Sequence, residues 1–164
     1  MNLQQTRLGL ILNEAAVELA VDSFDQRLIL QKSIHLLQDC GVNLGYHFRW
    51  YLRGPYSPRL TEDIFALSNL PDKGEADLRQ WKLDEPSRER VTKFKSLLRA
   101  LPTNKLAKWL ELLSSVLFLI RTGQAQATDT AGITSILHHN NKKHLSEPEV
   151  REGLTMLKRH GFAV

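Results

Sequence analysis

His35, Asp39 and Cys40 are the residues whose types and spacing come nearest to chemistry. His35 and Asp39 stand four apart and so share a helix face, and Cys40 follows at once, which superficially offers a base and a nucleophile. Five positions beyond His35, however, Cys40 turns away from that pair, and a buried, inert thiol is the stronger reading. His138, His139 and His144 flank a polar turn and carry ring nitrogens able to bind a transition metal. No acid or cysteine completes a ligand set there, and Lys142 and Lys143 repel a cation. The chain contains no glycine-rich phosphate loop, Gly-x-Ser-x-Gly elbow or His-Glu-x-x-His helix. No catalytic residue, metal or cofactor is therefore expected, and the protein reads as a binding module.

The residues that could bind lie in one stretch, Phe48-Arg49-Trp50-Tyr51-Leu52-Arg53-Gly54-Pro55-Tyr56-Ser57-Pro58-Arg59-Leu60. Phe48, Trp50 and Leu52 alternate with Arg49, Tyr51 and Arg53, the period of a strand buried on one face. Gly54-Pro55 predicts a break after that strand, and Ser57-Pro58 predicts an N-cap with proline at the first helical position. Strand, tight corner and helix would then present Arg49, Tyr51, Arg53, Tyr56, Ser57 and Arg59, with Lys32 from an earlier helix, to an acidic partner or a phosphate backbone. Trp50 reads as core rather than as a stacking platform.

Helices must hold that corner. Leu8, Ile11, Leu12, Ala15 and Leu19 predict a first helix over 3–20, and Leu30, Ile34 and Leu37 a second from Phe24 to Cys40, capped by Asp22 or Ser23. The corner helix buries Leu60, Ile64 and Leu67. From Asn69 to Pro86 prolines, glycine and aspartates interrupt any period, and Trp81-Lys82-Leu83 reads as a loop or a short strand pairing near Phe48. Helices follow from Pro86 to Leu101, Thr103 to Arg121, Ala127 to His138 and Glu147 to Arg159, the last opened by a Ser146/Glu149 capping box. Leu106 to Ile120 is apolar around most of its circumference, which marks either the central core helix, the favoured reading, or a homodimer interface.

Composition sets the outer bounds. A chain of 164 residues with 42% hydrophobic content suits one domain: a mostly helical fold with a small β-sheet or hairpin. The longest uncharged apolar run falls well short of a membrane span, no leader-like segment opens the chain, and a lone cysteine fits a reducing cytoplasm. The net charge of +4 is spread among acids with no basic arm, so nucleic-acid binding is not indicated by charge alone. The helix-turn-helix pattern from Ala127 onward fits a winged-helix unit in which Arg151, Lys158 and Arg159 would contact DNA, but Glu147, Glu149 and Glu152 share that helix and favour simple packing.

Leu30-Gln31-Lys32-Ser33-Ile34-His35-Leu36-Leu37, the stretch from Phe48 to Pro58, and then Leu60 and Asp63 resemble the pattern of the YwgA-like and Panacea (SocA-like) proteins of bacteria, archaea and phages. The resemblance covers about residues 27–67, with a weaker likeness in the final helix and its Gly161-Phe162 ending. It departs at His35, where tyrosine is more usual, and at Arg53, often aromatic or small. What the resemblance implies is a compact helical domain associated with toxin neutralisation, mobile elements, phage defence and regulation. The expectation is an antitoxin-like module that binds and occludes or positions a partner protein such as a toxin or nuclease. A DNA-binding regulator is the alternative.

Overall fold

Six helices begin where a short polar side chain accepts one of the free N–H groups of the first turn. The computed structural model describes residues 1–164 in the order α1 (Leu3–Ala15), α2 (Phe24–Asp39), β1 (Arg49–Tyr51), β2 (Gly54–Tyr56), α3 (Pro58–Ser68), α4 (Glu75–Leu78), α5 (Glu85–Ala100), α6 (Leu106–Arg121), α7 (Thr130–His139) and α8 (Glu147–Arg159). Asn2, Ser23 and Ser146 form full capping boxes with Gln5, Gln26 and Glu149; Ser57, Asp84 and Asp129 cap α3, α5 and α7 with one bond each. The fold is mostly helical, a single domain with one two-stranded antiparallel sheet.

α6 is the centre. Ten of its residues, from Trp109 through Leu119, are buried, and α2, the hairpin and α8 all pack on it. Its apolar circumference is therefore largely covered inside the monomer, the favoured reading of Leu106 to Ile120. Gly153 lets α8 lie close to this helix, since a methyl group there would come 3.3 Å from Leu113 and 3.4 Å from Leu112. Leu30, Ile34 and Leu37 of α2 and Leu60, Ile64 and Leu67 of α3 are buried as their spacing predicts.

The hairpin corrects the reading of the organising stretch. Gly54-Pro55-Tyr56 does not end the sheet but forms its second strand, with Trp50 opposite Pro55 and Tyr51 opposite Gly54. Both strands of so small a sheet are edges, where a proline without an N–H is tolerated. Leu52 consequently falls in the connecting turn and is 81% exposed, whereas Phe48 and Trp50 are half-buried against the core. α1 stops at Ala15, short of residue 20, because Ala16 turns left-handed at φ 56°. No strand forms at 81–83, and Trp81 is exposed. Residues 160–164 form no strand either, so the C-terminal unit lacks a wing; Phe162 folds back into the core instead.

Candidate functional site

Two consecutive residues of α2 fix the hairpin from beneath. The Gln31 amide clasps the backbone of Ser57, accepting from its N–H at 3.0 Å and donating to its C=O at 2.9 Å, and reaches the Thr61 hydroxyl at 2.8 Å. Lys32 donates to the Pro55 carbonyl at 2.6 Å and is 2% exposed. Both residues lie on the α2 face covered by β2 and α3, so the cation expected to stand outward is drawn inward. Burial, aided by the nearby charge of Lys142 and opposed by Glu111, pushes the Lys32 ammonium down to about 7.

Glu111 sits behind the hairpin turn, a single carboxylate within the apolar length of α6. It receives Lys142 at 2.7 Å, while Arg53 stands 3.6 Å and His144 3.5 Å away. Lys142 is itself fully enclosed, donates to the Leu52 carbonyl at 3.1 Å and lies over the Trp50 ring. The turn between α7 and α8 is thereby tied to the hairpin, and Lys142 is a structural cation rather than the solvated turn residue its neighbours imply. Loss of hydration pulls its pKa down and the Glu111 carboxylate opposes this.

In front of the hairpin a groove of about 370 Å³ opens between the first turns of α2, the Tyr51–Tyr56 ribbon and α3. Phe24, Tyr51, Leu52 and Phe65 line it and are all exposed. Arg27, Lys32 and Arg53 supply its charge, and no carboxylate lines it. Arg53 lies 5.6 Å from the Phe24 ring centroid, and the Tyr51 and Tyr56 rings meet at a tilt, 5.2 Å apart. Arg27 is held by the Val21 carbonyl at 2.7 Å.

Of the seven residues expected to bind a partner, the groove gathers Lys32, Tyr51, Arg53 and Tyr56. Ser57 is buried as the α3 cap, with its backbone in the Gln31 clasp, and offers no surface. Arg49 is exposed on β1 outside the groove. Arg59 is exposed in the first turn of α3, spanning Glu62 at 3.1 Å and Asp63 at 3.5 Å. Asp63 is buried and also accepts from Tyr46 at 3.0 Å and Gln5 at 3.2 Å, so Arg59 borders a structural network.

The alternative chemistries disperse. His35 Nδ1 shares a hydrogen bond of 2.8 Å with Ser114 Oγ, and burial, with Lys32 nearby, pushes the ring down to about 4. Asp39 instead pairs with Arg121 at 2.7 Å, and burial raises the Cys40 thiol to about 12. His138 bonds the Leu145 carbonyl and His139 the Ser135 carbonyl, each at its own site. On α8, Lys158 and Arg159 are exposed, but Arg151 is bound to Glu147 at 3.1 Å.

Sequence reasoning missed Gln31, Glu111 and Lys142 and the groove's apolar wall of Phe24, Leu52 and Phe65. Glu111 carried a signal, a lone acid between Leu110 and Leu112; the others depend on which elements meet. No family model, curated protein or solved structure matches this chain. No helix is long and apolar enough to cross a membrane.

Proposed function

We propose that the protein is a non-catalytic interaction module whose groove binds an apolar segment of a partner protein and thereby occludes or positions that partner. One observation carries this reading: of seven exposed large hydrophobic side chains, four surround the same groove. Clustered exposed apolar surface of this kind, rimmed by arginine and tyrosine, has the composition of a protein-binding patch rather than of a solvated face. The arginines without an acid among them complement a partner of opposite sign. The resemblance of residues 27–67 to the Panacea and YwgA-like proteins supports the same class of role, an antitoxin-like or mobile-element regulator acting on a toxin, nuclease or other effector.

The test is co-purification with the products of adjacent genes. A partner retained at high salt by the native chain, and lost on Phe24→Ser with Leu52→Ser, is the expected result. Retention that ignores both substitutions overturns the reading. So does retention of DNA that falls steeply with salt and with Lys158→Ala and Arg159→Ala, which is the signature of phosphate binding.

A further inference from the structure

We propose that the segment bound in the groove carries a carboxylate, seated where Lys32 and Arg53 converge at the hairpin; this rests on the interaction reading above. Three cations and one acid form the cluster on this side of α6. Glu111 is already engaged by Lys142 at 2.7 Å and lies 3.6 Å from Arg53, and no carboxylate comes within ion-pairing distance of Lys32. An ammonium has three N–H donors, and Lys32 places one of them, on Pro55. Buried charges in folded proteins are paired or hydrogen-bonded throughout, because an uncompensated one is costly. A buried, singly bonded amine at the wall of an open groove thus has donors left for an anion, which would hold its proton on.

The groove that Lys32 lines, about 370 Å³, leaves room for one. Gly54 lines it beside Lys32, and only the absence of a side chain there lets the hairpin sit against Ser115, whose Oγ a Cβ would meet. The Ser115 hydroxyl, fully buried, has no hydrogen-bond partner. Arg53 is half-exposed and only loosely paired, with Glu111 at 3.6 Å, so its planar edge can still take a carboxylate from the groove. Phe24, Leu28, Tyr51, Leu52 and Phe65 form the apolar part of the wall, which suits an occupant with aromatic or aliphatic groups beside its charge. That description fits a peptide segment with an aspartate, glutamate or chain terminus between apolar side chains.

The charged groups that act on Lys32 are Lys142, which disfavours its proton, and Glu111, which favours it; Arg27 and Arg53 line the same groove, and His35, three residues along α2, is neutral above about 4. A carboxylate binds the protonated lysine, so affinity should decline as pH rises through about 7.

Selection of a displayed random peptide library on the intact protein tests this, with Phe24→Ser/Leu52→Ser as the counter-selection target. Groove-dependent clones should pair an acid with aromatic residues, and replacing that acid by its amide in a synthetic copy should weaken binding about tenfold. Arg53→Met should abolish the preference for acid over amide, and Lys32→Met should remove the decline of affinity with pH. Groove-dependent clones with no acid preference overturn the carboxylate while leaving the interaction reading intact. A library yielding no groove-dependent clone removes both. Tighter binding of 3-phenylpropionate than of any selected peptide overturns the proposal in favour of a small acid.

Discussion

The two sides of α6 treat charge differently. Toward α8, Lys108 meets Glu149 at 2.6 Å, the Ser146 capping box is closed, and Gly153 brings the backbones together. Toward α2 and the hairpin, Lys32 has a single carbonyl, Ser33 and Ser115 hydroxyls are buried without partners, and Phe24, Leu52 and Phe65 stand in the open. Both sides pack on the same central helix, so core formation alone does not explain the contrast. A side that is internally complete needs only to hold its shape, whereas unmet charge and uncovered apolar surface concentrated at one place mark where something else is to fit.

The sharpest way to break this comparison is to remove the one acid that the hairpin side does hold against its cations. Glu111→Gln leaves Lys142 enclosed without its counterion and should cost about 3–5 kcal/mol in denaturant unfolding. A loss below about 1 kcal/mol would mean that Lys142 finds another acceptor.

Next in size is acid. The unfolded chain binds a proton on His35 near its ordinary value of 6.5, but the folded chain does so only near about 4. Stability from this residue is complete above about 6.5 and drains away as pH falls towards 4, amounting to about 3 kcal/mol at most. Unfolding measured at both ends of that window, against His35→Phe, should show the variant losing less than the native chain.

Repairing the incomplete side should stabilise it. The folded pKa of Lys32 lies at about 7, below its ordinary 10.5, so this side chain favours folding fully only above that higher value and progressively less down to about 7. Lys32→Met removes the buried charge and should raise stability at neutral pH by about 2 kcal/mol while impairing capture of an acidic segment. Such a substitution would separate stability from binding in a single residue.

Smaller effects complete the comparison. Ser57→Ala deletes the α3 cap and should cost about 1 kcal/mol. Leu52→Ser, at a position 81% exposed, should change stability by less than about 0.5 kcal/mol and still weaken partner binding. A large stability loss there would show the turn to be part of the core.

Periodicity made much of the helical frame legible. Leu30, Ile34 and Leu37, and the Ser146/Glu149 box, announce their elements because burial stripes and caps depend on residues only a few positions apart. The hairpin was misread for a related reason. Arg49 to Arg53 alternates as a longer strand would, yet pairing with Gly54-Pro55-Tyr56 ends the first strand at Tyr51 and swings Leu52 outward. The groove was legible only in part. Tyr51, Arg53 and Tyr56 are local to the corner, while Phe24 and Phe65 arrive from two helices, and Lys142 reaches Glu111 across 31 positions. Nothing in either neighbourhood of sequence records such meetings, since they follow from how α2, α3 and the α7–α8 turn converge on α6.

The clasp of Gln31 on Ser57 has a consequence for how the chain behaves among its own copies. A short ribbon with open margins is a template on which another chain could add a strand. By accepting from one N–H and donating to the C=O of the same residue, the glutamine amide imitates the rung a neighbouring strand would supply and seals that margin just where the ribbon enters α3. Glutamate at this position would lose the donor and leave the carbonyl unanswered, turning a guarded margin into a docking point for aggregation.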